Sequence, residues 1–127
     1  MDFPKDLRYT KDHEWARNED GNYVIGITAF AVEQLGDITL VDLPEEGDTF
    51  SAGEALGTIE SVKSVSDLYA PMACTVVKIN EALEDEPELI NDAPYGDGWL
   101  VVVEADADAF EAMMDSDAYT ALAAEHA

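Results

Sequence analysis

With 127 residues, 47% of them hydrophobic, the chain can bury one core and is too short for two of ordinary size. Six basic residues against 29 acidic ones give a formal net charge of −23, which leaves no basic patch for phosphate and makes nucleic acid a poor partner. No apolar run approaches the ~20 residues that span a bilayer, and a lone cysteine, Cys74, excludes an internal disulfide and fits a reducing compartment.

The opening Met1-Asp2-Phe3-Pro4 has neither a basic region followed by an apolar stretch nor an Arg-rich transit signature, so a cytoplasmic protein is expected. Residues 8–28 predict two or three strands. Glu14 to Arg17 leads into the polar turn Asn18-Glu19-Asp20-Gly21-Asn22, and Tyr23 to Ile27 returns as an apolar, β-branched run. Thr28 can cap a short helix through Leu35, with Gly36 as the C′ residue that leaves it. Asp37 to Leu43 alternates polar and apolar residues, and Pro44 ends it. After the turn Glu45-Glu46-Gly47-Asp48, Glu54 to Ile59 and Val65 to Ala70 read as two strands, followed by Thr75 to Ile79. Cys74 lies in that apolar alternation and reads as a buried structural thiol. Glu84 to Gly98 holds two prolines and two glycines and is expected to be an irregular, exposed loop. Leu100 to Val103 is a fully apolar strand. From Asp106 onward, Phe110, Met113, Met114, Tyr119 and Leu122 fall near helical spacing as core contacts, with Asp106 and Ser116 as caps. The fold class expected is mainly β, a small β-sandwich with short helices and a C-terminal helix, in one domain spanning 1–127.

Few residues here could do independent catalysis. The two imidazoles, His13 and His126, and the one cysteine are widely separated and give no zinc-ligand spacing. There is no phosphate-binding glycine loop and no nucleophile elbow. Asp106-Ala107-Asp108 lacks the glycine and terminal glutamate of a calcium loop. Carboxylate pairs abound, but at this acidity composition alone produces them. No metal is expected, and no enzyme.

Lys63 is different. Only four lysines occur, Lys5, Lys11, Lys63 and Lys78, and Lys63 falls between two strand-like segments, at or near a hairpin tip. The alternative is an ordinary surface lysine in a turn. Its surroundings decide: Gly47-Asp48 and Gly53-Glu54 precede it, and Ala70-Pro71 follows, an arrangement that resembles the lipoyl/biotinyl attachment fold, a barrel-sandwich hybrid. Tyr9-Thr10-Lys11-Asp12-His13-Glu14-Trp15, Gly26-Ile27-Thr28, Gln34-Leu35-Gly36-Asp37-Ile38, Leu43-Pro44, Glu60-Ser61-Val62-Lys63, Ser66-Asp67-Leu68-Tyr69-Ala70-Pro71, Asn80-Glu81-Ala82-Leu83 and Pro94-Tyr95-Gly96-Asp97-Gly98-Trp99-Leu100 resemble, in order, the motifs of the H-protein family of the glycine cleavage system. The resemblance runs from about Leu7 to Tyr119.

That resemblance implies a lipoyl-binding core over about 23–104 and a C-terminal helical segment over about 106–125. It implies lipoate in amide linkage to the Lys63 Nζ, a bond that removes the lysine's charge. The small residues Ser61, Ser64 and Ser66 leave room for a lipoate-attachment enzyme to enclose the turn. Lysine plus lipoyl group makes a tether of ~14 Å, comparable to about four extended residues, which raises the effective concentration of the arm at several active sites. The family's arm accepts an aminomethyl group from glycine at the P protein and delivers it to the T protein. The L protein then reoxidises the arm. The chain would thus be a monomeric carrier without catalysis of its own, with no membrane or nucleic-acid partner. The family folds the loaded arm into a surface cleft where acidic side chains receive the protonated amine. The matching positions are Glu14 and Asp67, with Asp12 where a neutral serine can occur. Exposed ammonium–carboxylate pairs are worth only ~1 kcal/mol, and neither Glu14 nor Asp67 lies in an apolar stripe, so a surface-like effect on stability within ~0.5 kcal/mol is expected for both.

Two positions depart from the family pattern. Ala73-Cys74 stands where Ser-Gly is common, which would strain Cys74 if that turn needs a positive φ. Ala29-Phe30 stands where an acidic residue and a histidine are common, making a cleft contact apolar. Other readings remain open at this point. Val62 and Ser64 replace the methionines that flank a biotinyl lysine. Modules of 2-oxo acid dehydrogenases lack the His-Glu-Trp motif and continue into a linker and catalytic domain. A reactive-lysine enzyme would need an activating partner near Lys63. A lipoate-relay or regulatory protein could share the same fold. The dispersed acidity resembles that of proteins from a salt-rich cytoplasm, whereas an acidic mimic of nucleic acid leaves the Lys63 motifs unexplained.

Overall fold

The computed structural model describes residues 3–126, without the side chain of His126. Met1, Asp2, Ala127 and the His126 imidazole lie outside the described residues. In chain order the elements are β1 (Arg8–Tyr9), β2 (Glu14–Glu19), β3 (Asn22–Ile27), α1 (Ala29–Leu35), β4 (Ile38–Asp42), β5 (Thr49–Phe50), β6 (Ala55–Ser61), β7 (Val65–Tyr69), β8 (Cys74–Ile79), a 3₁₀ turn (Glu81–Glu84), α2 (Leu89–Asp92), β9 (Val101–Ala105), α3 (Ala107–Glu111) and α4 (Ser116–His126). All strand pairs are antiparallel. A six-stranded sheet has the order β1-β2-β3-β9-β8-β5, and a three-stranded sheet the order β4-β6-β7. This is the expected mainly β sandwich.

The two sheets bury Tyr23, Ile25, Ile27, Ile59, Leu68, Met72, Val76, Val101 and Val103 between them. The other face of the larger sheet is covered as well. Trp15 and Val24 turn outward there and pack with Phe3, Leu7, Tyr9, Phe30, Tyr119 and Ala123. Alternating side chains of β2 and β3 therefore enter two different cores, which explains why β3 reads as a continuous apolar run and is buried from Tyr23 to Ile27. The β2–β3 turn uses Asp20 (φ 56°) and Gly21 (φ 90°), two successive left-handed residues that match the twist of a tight hairpin.

Thr28 caps α1 as expected, its hydroxyl accepting from the Ala31 N–H, and Gly36 (φ 78°) closes the helix by donating to Val32 O. Cys74 begins β8, is buried, and does not have a positive φ, so the strain considered for it does not arise. Two expectations are corrected. Residues 84–98 are not an exposed irregular loop, because α2 forms there and Ile90 is fully buried. The Asn91 side chain accepts from Ile38 N and donates to Gly36 O, tying α2 to the entry of β4. Apolar anchors thus outweigh the turn signal of the prolines and glycines. The C-terminal segment forms two helices, α3 and α4, and the second correction is the Ser116 cap. Asp106 caps α3, its carboxylate accepting from Asp108 N, but α4 is capped by Asp115, which accepts from Ala118 N at 2.9 Å, and not by Ser116. Between the helices Met114 bridges to Tyr9 through both backbone bonds, and this pins α4 to β1.

Candidate functional site

The β6–β7 hairpin closes at Ser61-Val62-Lys63-Ser64. Glu60 faces Val65 in register, and Ser61 N donates to Ser64 O at 2.8 Å, leaving Val62 and Lys63 as the tip. The Ser61 hydroxyl rigidifies it, accepting from Lys63 N and Ser64 N and donating to Ser64 O. Val62 N donates to Asp37 O and moors the tip to the start of β4. Lys63 is exposed. Its stem lies against the end of α1: a Cβ added to Gly36 would sit 3.4 Å from Lys63 Cε. Gly36 thus serves twice, by its positive φ and by the space it leaves for this lysine.

Beside that helix end lies a cleft of about 160 Å³, lined by Asp12, His13, Ile27, Ala31, Gln34, Leu35, Ile59, Ser66, Asp67 and Leu68. Its floor is apolar, from Ile27, Ala31, Leu35, Ile59 and Leu68. Asp12 and Asp67, both exposed, supply negative charge, and Gln34 an amide. The fold therefore brings two of the three expected acidic residues into one concavity, flanked by the helix turn on which the Lys63 stem rests. An apolar trough with carboxylates suits an alkyl chain that ends in a cation. Phe30 is not a cleft residue, as it is buried in the outer core with its ring 4.8 Å from that of His13.

Glu14 is placed differently from expectation. It is 2% exposed and does not line the cleft. Its carboxylate ties two parts of the chain together: one oxygen accepts from Tyr69 N at 2.8 Å, at the end of β7, and the other from the Thr10 hydroxyl at 3.0 Å. Burial pushes its pKa up to about 8, against the opposing pull of the Tyr69 and Thr10 bonds. The sequence suggested a surface carboxylate because nothing in the local pattern records a bond made 55 residues away.

His13 and Tyr119 escaped the sequence reading as site residues. His13 occupies the left-handed region (φ 68°), with Thr28 N donating to its carbonyl and its own N–H to Thr10 O. Histidine tolerates that conformation better than most residues. Its Nδ1 lies 2.7 Å from the Tyr119 hydroxyl, which also lies 2.8 Å from Thr28 Oγ1. Burial raises Tyr119 to about 12, so the phenol stays protonated. The C-terminal helix thus reaches the cleft wall. The one hint in the sequence was the tyrosine's place in the helical apolar pattern, which pointed only to packing. Among the described residues no group of histidine, cysteine or carboxylate side chains could hold a metal ion, and no helix is long and apolar enough to cross a membrane.

The profile of a family described as "Glycine cleavage H-protein" matches residues 7–126. A glycine cleavage system H protein of Listeria monocytogenes is 57% identical over 120 residues, covering 94% of this chain and 96% of that one. One of Bacteroides thetaiotaomicron is 52% identical over 123 residues, covering 96% and 98%. Among solved structures, the crystal structure of a glycine cleavage system H protein from Mycobacterium marinum is similar with a TM-score of 0.87 and 43% identity, over 94% of this chain and 97% of that one.

Proposed function

Because the chain belongs to the glycine cleavage H-protein family, we propose that it carries its lipoyl group on Lys63 and stores the loaded arm in the cleft between α1 and β7. As a member it is a non-catalytic carrier subunit of the glycine cleavage system. The relatives' names favour that role over a lipoate relay or regulatory protein with the same fold. Its partners in this reading are the P, T and L proteins and a lipoate-attachment enzyme, in the cytoplasm.

The observation that carries the proposal is the tip itself: an exposed amine on a braced two-residue turn, its stem on Gly36 at the end of the helix whose Gln34 and Leu35 line the cleft. The residues present fit the group. Ile27, Leu35, Ile59 and Leu68 would hold its hydrocarbon part, and Asp12 and Asp67 an amine at its end. When bound, a lipoyl group supplies a reversible disulfide that can take up a one-carbon amine unit and be reoxidised. The chain's own residues do the rest. Ser61 fixes the turn, Gly36 gives the stem passage, and the apolar floor limits water around whatever lies in the cleft.

Peptide mapping after treatment with lipoate and a lipoate ligase tests the attachment point. The added mass is expected on Lys63 alone, with none on the Lys63→Arg variant. Modification of Lys11 or Lys78, or full modification of Lys63→Arg, would sink the assignment.

A further inference from the structure

We propose that Leu40, Val62 and Val65 form an apolar collar around Lys63 on which the lipoate-attachment enzyme docks. The inference rests on Lys63 being the lipoylated residue, and it adds the surface by which that enzyme holds the chain.

Among the described residues four large apolar side chains are exposed, and three of them gather at the tip that bears Lys63. Leu40 is 51% exposed, Val62 66% and Val65 63%. Strand register brings them together. Leu40 faces Glu60 across β4–β6, and Glu60 faces Val65 across β6–β7, so these three form one row on the outer face of the smaller sheet. Val62 ends that row, beside the lysine in the two-residue tip and against Gly36, where an added Cβ would lie 3.8 Å from its Cγ2. The fourth, Val77, stands on β8 in the other sheet. Single exposed apolar residues are ordinary on any surface, whereas a group of them marks a contact. Ser61 to Ser66 contains no carboxylate, although the chain has 29 acidic residues, and the half-buried Glu60 is the one charge in the row. A partner can therefore cover the collar while burying little fixed charge. The tip is already braced by Ser61 and by the bond from Val62 N to Asp37 O, so docking has little left to order.

Distance chooses the occupant. The amide forms when the Nζ lone pair attacks the carbonyl carbon of an activated lipoate. The activating group departs with the bonding electrons, and one Nζ proton is lost. That bond is made about 6 Å from the Lys63 Cα, the reach of one extended lysine side chain. An enzyme whose active centre comes that close must lay its rim on Val62 and Val65. Enzymes that act on the sulfurs work at the far end of the ~14 Å tether and can stand off the collar. The collar thus fits an enzyme that makes the amide, with an apolar rim around its lysine channel. Charge disfavours a second copy of this chain, because pairing the two patches would bring together two formal charges of −23.

Steady-state lipoylation of the full, unmodified chain by an ATP-dependent lipoate ligase tests the collar. Val62→Thr and Val65→Thr keep the β-branched shape, and Leu40→Thr lies outside the turn. The three side chains are exposed, so the melting temperature of the triple variant should match wild type. Its KM as the protein substrate should rise on the order of tenfold with kcat within about twofold, the pattern of lost binding without lost chemistry. Leu40→Thr alone should give a smaller rise in the same direction. An unchanged KM, or a fall in kcat alone, overturns the inference, the second because the side chains would then only shape the turn. The triple variant is next lipoylated to completion with excess ligase and reduced, and its reoxidation by the L protein should match wild type. A KM for the L protein raised as much as that for the ligase overturns the choice of occupant. So does a wild-type dimer in sedimentation that the triple variant dissolves. Lipoate found on another lysine of the wild type instead overturns the Lys63 reading on which the collar rests.

Discussion

Glu14 shows how one buried carboxylate changes what a variant should do. As a surface residue it would barely affect stability, but here it satisfies the Tyr69 N–H from inside the protein. Glu14→Ala leaves that N–H without its acceptor and should cost ~1–3 kcal/mol in chemical denaturation, whereas Asp67→Ala, on an exposed residue, should stay within ~0.5 kcal/mol. The charge of Glu14 adds a pH dependence of definite sign. Its folded pKa, about 8, lies above the ordinary 4.5, so the folded chain holds this proton more tightly than the unfolded one. That contribution is complete below about pH 4.5 and is lost as pH rises toward 8. Glu14→Gln keeps an acceptor for Tyr69 and has no proton to lose. Its melting temperature relative to wild type should therefore climb from pH 5 to pH 8.5, the other carboxylates cancelling in the comparison. A flat difference would mean that Glu14 is already ionised in the fold at pH 5. The residues of the site were unevenly legible for the same reason. Lys63 announced itself through scarcity and its hairpin context, and Asp67 and Asp12 through short motifs. The partners of Glu14 and His13 lie 55 and 106 residues away, beyond any local pattern.

Among the elements, those with strong periodicity and matching punctuation were readable: the β2–β3 hairpin from its Asp-Gly turn, α1 from Thr28 and Gly36, the Lys63 hairpin from two alternating runs. What failed were boundaries set by tertiary contact. α2 forms because Ile90 is drawn into the core, although prolines and glycines crowd the segment. The break between α3 and α4 follows from the bridge that Met114 makes to Tyr9, and that bridge shifts the cap of α4 by one residue to Asp115. Serine and aspartate are both good caps, so sequence alone could not choose between Asp115 and Ser116. The choice can be measured. Asp115→Ala removes the bond to Ala118 N and should lower stability by ~1 kcal/mol, while Ser116→Ala gives up no capping bond and should cost less. The opposite ranking would restore Ser116 as the cap.

At the scale of the whole molecule the dominant fact is charge. Twenty-nine carboxylate residues share the chain with six basic ones, and one of those, Lys63, loses its charge if lipoylated. Among the described residues a single side-chain ion pair forms, Arg17 to Glu19 at 2.7 Å, and it is partly exposed, so it offsets little of the repulsion. The acidic groups lie mostly at the surface while the apolar side chains fill two cores, so folding brings like charges together without pairing them. Screening then has to come from the solution. At molar salt the Debye length is ~3 Å, shorter than typical spacings between surface carboxylates, whereas at 0.01 M it is ~30 Å and every charge repels every other across the molecule. The unfolded chain can expand to relieve that repulsion and the fold cannot. The melting temperature should therefore fall steadily as KCl is diluted from molar to tens of millimolar at pH 7.5. To separate charge screening from a general salting-out of apolar surface, the series is repeated with a neutral osmolyte at matched water activity, which should recover only a minor part of the loss. A melting temperature that stays flat or rises on dilution would remove the reading of this surface as built for a salt-rich cytoplasm, and equal recovery by the osmolyte would move the cause from the carboxylates to the cores.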